Sequence, residues 1–374
     1  METNRIRSVD LLRGLIMVLM AIDHVRVYSG LPAGGTEPGI FFTRWITHFC
    51  APGFVFFAGT SAFLYGQKTA NKNKLAKFLL TRGLLLVVLE LTLIRFFWTF
   101  NWNYNEFILA GVIWMLGWCM VLLALFVRLQ AGTIGVIGVL IIAIQQVFRF
   151  VPQILPASLD PYWEVFYPGG SEAPRLAVLY VLIPWIGVMM AGYGFGAVLL
   201  KDPVERRKIC LGIGLTATVL FFMIGGVFMN SNTSPNDPMP AFFRLLNQQK
   251  YPPSQLYLMM TLGSLIALVP AMEKLKGWTA HILETFGRVP MFYYLLHILY
   301  IHLAAWLVNY LLYKDIHQEW YNTAPFAQVP PEQRWGLGLL YLVFFVVIVI
   351  LYVKCRWYAA YKKNHPGKKW LSYL

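Results

Sequence analysis

The chain has 374 residues and a formal net charge of +14, yet only 13% of its residues are charged, against 58% hydrophobic and 16% aromatic. Soluble domains carry roughly 25% charged and 45–50% apolar residues. With a mean hydropathy of +0.58, the chain cannot be a water-soluble enzyme, a nucleic-acid binder or a disulfide scaffold. It reads as an all-α, polytopic integral membrane protein.

A helix needs about 20 apolar residues to cross a hydrocarbon core. About ten runs qualify, near 8–28, 46–66, 78–98, 107–127, 132–150, 176–200, 209–229, 255–272, 290–312 and 335–356. Their connections are short, which predicts a single transmembrane domain over 1–374. The first run is too polar at its start, and continues too far, for a cleaved signal peptide, so it is expected to stay as a span. Pro52, Pro184, Gly187 and Pro270 fall inside runs and predict kinks.

Lys and Arg gather in one set of connections, at Lys68, Lys72, Lys74 and Lys77, at Arg206–Lys208, at Lys274 and Lys276, and between Lys354 and Lys369. The positive-inside rule then places both termini in the cytosol, N-in and C-in, and explains the basic excess. The opposite loops, Trp98–Glu106, Asp160–Gly170, Phe242–Pro253 and Gln318–Trp335, are aromatic and amide-rich. They suit either an aromatic belt at the headgroups or a stacking surface for a sugar.

Ionisable groups inside a span cost roughly 2.5–3.5 kcal/mol on insertion scales, which makes each a functional hypothesis. The first span holds Asp10, Arg13, Asp23 and His24. Arg13 and His24 lie eleven positions apart, so they share one helix stripe about 16 Å long. Asp10 stands three positions before Arg13, close enough to pair with it. Asp23 points to a neighbouring stripe, facing another helix or orienting His24. The second span adds His48 at the depth of His24, and a small face at Gly59, Thr60, Ser61 and Gly66 for close packing. Glu90 and Arg95 on the third span predict a buried ion pair. The ninth span starts after Gly287 and Arg288, with Tyr293 and His297 on one face four positions apart and His302 pointing away.

Cys50, Cys119, Cys210 and Cys355 are solitary, with no metal-ligand spacing. The chain carries no nucleophile elbow, HExxH, P-loop or GxGxxG motif, so hydrolase, metalloprotease, ATPase and Rossmann chemistry lack their residues. His, carboxylate and Arg within the membrane leave two classes: acid–base group transfer, or a proton-coupled carrier of a small polar solute. No similarity links the two halves of the chain as inverted-repeat carriers often show.

The strings RSVDLLRGLIMVLMAIDHVR, THFCAPGFVFFAGTSAFL, QKYPPSQLYLMMTLG and FGRVPMFYYLLHILYIH resemble bacterial multipass proteins grouped with heparan-α-glucosaminide N-acetyltransferase. This group sits in a wider transmembrane acyltransferase set with sugar O-acetylases and glucan succinyltransferases. The Arg13–His24 spacing is similar to the O-acetylase branch, and Leu19–His24 to the succinyltransferase branch. The stretch 29–42 has no His where the lysosomal N-acetyltransferase has its active-site residue, so the proton-transfer role falls to His24. The resemblance implies a bacterial inner-membrane enzyme that passes an acyl group, acetyl foremost, from cytosolic acyl-CoA to an outward-facing sugar or glycan. His24 would act as general base or acyl acceptor, with Asp23 and His48 beside it. Arg13, Asp10, Arg288, His297 and Tyr293 would bind the donor, with Lys77 and Arg82 completing a basic inner mouth. Acyl-CoA, a glycan and the lipid bilayer are the expected partners; no metal is expected, and self-association into a homo-oligomer is left open.

Overall fold

The computed structural model of the chain describes residues 6–105, 108–168, 176–232, 238–365 and 367–372. Glu106 and Gly169–Gly170, part of the expected aromatic loops, lie outside them. Helix α1 (Arg7–Ser29) comes first and stops at Gly30, which takes a left-handed conformation and donates its N–H to the Val27 carbonyl. Helix α2 (Pro38–Trp45) runs through a short 3₁₀ turn into α3 (Cys50–Thr69). Pro38 at its first turn suits a helix start, where its missing N–H costs nothing. Helix α4 (Lys72–Leu89) is capped by the Asn71 side chain on the Lys74 N–H, and continues through a π turn at Glu90–Ile94 into α5 (Arg95–Thr99).

Strand β1 (Ile108–Ala110) precedes α6 (Val112–Phe126) and α7 (Ala131–Ile144), and α8 (Asp160–Trp163) sits in the loop that follows. Strand β2 (Leu176–Val178) then pairs in parallel with β1, Leu109 opposite Ala177. Next come α9 (Leu182–Phe195), α10 (Pro203–Asn232), α11 (Ala241–Leu246), α12 (Gln255–Lys274), α13 (Gly277–Arg288), α14 (Pro290–Tyr313) and α15 (Leu337–Asn364).

Seven helices among the described residues are long and apolar enough to cross a membrane: Pro38–Thr69, Ala131–Gln153, Leu182–Leu200, Pro203–Met229, Gln255–Lys274, Pro290–Tyr313 and Leu337–Asn364. Three further helical stretches, α1, α4 to α5, and α6, stand where the sequence predicts spans but are shorter or carry more charge. The fold departs from the sequence reading in three places. Residues 108–110 and 176–178, expected as helix starts, form the strand pair, because two loops meet there edge to edge and satisfy each other's backbone. Helix α13 lies in a stretch expected as a connection; its sequence GWTAHILETFGR is amphipathic rather than apolar, so a hydropathy criterion passes over it. The Pro38–Thr69 helix also begins earlier than the expected 46–66.

Helix α1 is the hub, packed against α13, α14, α12, α3 and α15. Its approach to α13 is backbone to backbone: a Cβ on Gly14 would strike the Leu283 carbonyl, and one on Gly287 the Asp10 carbonyl. The small face on α3 serves the same end, since a Cβ on Gly59 would strike Met189 of α9. Small residues are how helices close on each other without a hydrophobic driving force. Charged residues of α1 are thereby held inside the bundle, where they line cavities.

Candidate active site

Two cavities lie at opposite ends of α1. The larger, about 650 Å³, is lined at one end by Asp10, Arg13, Lys68, Arg82, Arg288 and Lys362. The smaller, about 230 Å³, is lined by Asp23, His24, Arg26, Arg44, Glu90 and Lys250, with Trp98, Tyr180, Tyr251 and Phe326 around them. Phe54, Val112 and Tyr294 line both, so the two spaces share one wall of three side chains.

In the larger cavity Arg13 ion-pairs with Asp10 at 3.8 Å, as the three-residue spacing predicts. It also donates to the Phe57 carbonyl at 3.1 Å and to the Ser61 hydroxyl. Arg13 is thus fixed by α3, whose Ser61 the sequence offered only as a packing residue. Arg288 pairs with Glu284 and is half exposed at the cavity mouth. Lys77 does not line this space; Lys68 and Lys362 do.

At the other end His24 meets His297. Nδ1 of His24 and Nε2 of His297 are 2.6 Å apart, and the rings stack with centroids 4.8 Å apart. Nδ1 of His297 lies 3.2 Å from the Tyr293 carbonyl oxygen, which only accepts, so that nitrogen carries the hydrogen. In the neutral ring Nε2 of His297 is then an acceptor, and His24 donates to it from Nδ1. The remaining nitrogen of His24, Nε2, keeps its lone pair and makes no hydrogen bond with the described residues. Trp98 packs edge-on against the same ring, 4.7 Å between centroids.

The other expected site residues are placed differently. His297 does not line the larger cavity; it is fully buried behind His24. Tyr293 is fully buried too, donating to the Met17 carbonyl at 2.9 Å and stacking on His297. Its neighbour Tyr294 reaches the cavities instead, because one residue along a helix turns the side chain by about 100°. His48 lines neither space; its ring meets Tyr257, and its Nδ1 is buried without a hydrogen-bond partner among the described residues. Asp23 does not bond His24. It accepts from Arg26 at 3.0 Å and faces Arg44 at 3.8 Å. Met17 and Ala21, which lie between Arg13 and His24 on α1, are fully buried and line neither cavity.

Glu90 and Arg95 go to separate partners. Glu90 accepts from the Ile113 and Trp114 amides at the start of α6, at 3.0 and 3.2 Å, while Arg95 donates to the Asn101 and Asn103 carbonyls. The sequence reading did not single out Arg26, Arg44, Lys250 or Tyr294 as site residues. A signal for three of them existed: Arg26, Arg44 and Lys250 are basic residues on the side where the charge bias disfavours them.

With this geometry in place, comparison with known proteins is decisive. Residues 5–229 match the family described as heparan-alpha-glucosaminide N-acetyltransferase, catalytic. The chain belongs to that family. The matched segment contains Asp10, Arg13, Asp23, His24, Arg44 and Glu90 but stops short of Lys250, Arg288 and His297. No curated protein matches the chain.

Proposed function

We propose that the protein is a membrane-bound acyltransferase that carries an acyl group, acetyl foremost, from cytosolic acyl-CoA to a hydroxyl or amino group of an outward-facing sugar or glycan. Family membership supports the transferase class. The observation that carries the reading is the pair of cavities separated by one thin wall, basic at one end and holding an uncommitted imidazole nitrogen at the other. In this reading the chain makes ten spans in a bacterial inner membrane with both termini in the cytosol and the larger cavity on the cytosolic side, an orientation that the Lys and Arg bias of the connections supports.

CoA brings phosphates, for which the larger cavity offers Arg13, Arg82, Lys68 and Arg288. Its volume is within the usual range for a small-molecule site. The pantetheine arm would pass between Phe54, Val112 and Tyr294 and present the thioester below His24. Nε2 of His24 takes the proton from the acceptor hydroxyl or amine. The acceptor atom bonds to the acyl carbon, the carbon–sulfur bond breaks, and the proton passes to the departing thiolate. In the two-step variant Nε2 attacks the acyl carbon itself and the carbon–sulfur bond breaks to release the CoA thiolate. The acceptor atom then bonds to the acyl carbon, the carbon–nitrogen bond to His24 breaks, and the acceptor's proton passes to the thiolate. Either route needs His24 in one tautomer, and His297 sets it. The two nitrogens and the carbonyl behind them form a relay of roles like a base and its orienting group.

A proton-coupled carrier is the alternative, since paired cavities around a His pair also suit alternating access. Radiolabelled acetyl-CoA given to the purified protein with sugar acceptors separates the two. Label on the sugar or on the protein, with free CoA formed, supports transfer; thioester left intact supports the carrier.

A further inference from the structure

The smaller cavity holds more positive charge than its carboxylates can answer. Arg26, Arg44 and Lys250 all line it. Arg26 and Lys250 are buried, and the Arg44 side chain is only 11% exposed. Among the described residues, Asp23 is the one carboxylate within ion-pair distance of any of the three, bonded to Arg26 and 3.8 Å from Arg44. Glu90, the other acidic residue on the wall, is occupied by the two amides of α6. Lys250 forms no ion pair with a described carboxylate and only lies over the Tyr251 ring, 5.2 Å from its centroid. Nε of Arg44 is buried with no hydrogen-bond partner among the described residues. Buried cations are normally paired, because an unanswered charge in a low-dielectric site is costly.

The rest of the wall is suited to a sugar. The Tyr180 and Tyr251 hydroxyls stand 3.4 Å apart, and Trp98 and Phe326 add aromatic lining. Aromatic faces with a few convergent polar groups hold a pyranose by stacking and orientation. We propose that this cavity selects an acceptor bearing an anionic group, a sugar carboxylate or a sugar phosphate, and that Arg44 and Lys250 hold that group while His24 faces the reacting atom. Arg44 contributes a planar fork for two oxygens, and Lys250 a point charge. The inference rests on the acyl-acceptor reading of the cavity and names the class of acceptor it takes.

The test reads binding without the donor. The full chain in nanodiscs is titrated with glucuronate, glucose 6-phosphate and glucose at constant ionic strength, with CoA binding measured on the same preparation. At least one anionic sugar should bind about tenfold more tightly than glucose, the gain expected for a charge-assisted contact. The two anionic arms tell carboxylate from phosphate. Lys250→Met, which breaks no ion pair, and Arg44→Gln should each cut that preference to about threefold or less while CoA binding is kept. Equal binding of the three sugars, no binding of any, or a preference that survives both substitutions overturns the proposal. If the anionic preference holds but CoA does not bind, the transfer reading fails and this subsite stands.

Discussion

Nδ1 of His24 and Nε2 of His297 sit 2.6 Å apart although 273 positions separate them in the chain. The contact exists because α14 packs on α1, and because the Tyr293 carbonyl fixes which nitrogen of His297 accepts. One helix supplies the imidazole that the proposed mechanism uses as base, and the other supplies the acceptor that sets its tautomer.

Replacing His297 should therefore act on turnover rather than on donor affinity. His297→Ala removes the acceptor that orients His24, and kcat should fall by about 10–100-fold with the Kd for CoA unchanged. His297→Gln retains an amide oxygen able to accept from Nδ1 and should recover part of the loss. A residue important only for packing would not show that ordering, which parallel kinetics and CoA titrations read directly.

Arg13→Lys should weaken CoA binding more than acceptor binding, because an ammonium cannot supply the fork that suits phosphate. Asp10→Ala should instead lower stability by about 1–3 kcal/mol, since it removes a buried partner of Arg13. Unfolding curves and CoA isotherms of the two variants should move in opposite order. Wild-type CoA affinity in Arg13→Lys would place the phosphate contacts elsewhere on the cavity wall.

The shared wall gives a third expectation. Val112→Phe adds bulk where both cavities meet and should obstruct the path of the pantetheine arm. Transfer should drop by about 100-fold, the cost of misplacing reactants by about an ångström. Nucleotide-end binding, followed with 3′,5′-ADP in place of CoA, should stay within a factor of about two of wild type. Loss of 3′,5′-ADP binding would show that Val112 does not stand between the two spaces.

Topology is checked with single cysteines engineered at Asn73 and Gly367 in a background lacking the native four. Both should react with impermeant reagent only after the cytosolic face is opened. Labelling of either from outside would reverse the orientation and the assignment of the larger cavity to the donor.

Much of this architecture is legible in the sequence. Apolar length finds the helices, and the three-residue spacing of Asp10 and Arg13 finds their ion pair. The eleven-residue spacing of Arg13 and His24 finds one residue in each cavity. The periodicity of one helix cannot say which residue of another comes opposite it. The sequence therefore reads His297 and Tyr293 as donor-binding residues, whereas the fold seats His297 against His24 and turns Tyr294 to the cavities. Glu90 and Arg95 looked like partners because they share a helix, yet the π turn between them and the nearby start of α6 give each a different bond. Helix α13 and the short strand pair escaped because neither is marked by hydrophobic length. Lys250, Arg288 and His297 fall outside the segment that matches the family; of the three, the sequence reading passes over only Lys250, which three-dimensional contact brings to the smaller cavity.

The most direct measurement is label transfer from radiolabelled acetyl-CoA by His24→Gln, with CoA affinity and thermal unfolding recorded on the same protein. Glutamine keeps a hydrogen bond toward His297 but offers no basic nitrogen to the smaller cavity. Transfer should fall by about 10²–10⁴-fold, the usual contribution of a general base, while folding and CoA binding stay near wild type. A variant that folds, binds CoA and still turns over at about a third of the wild-type rate, far above that range, would contradict His24 as the group that performs the chemistry.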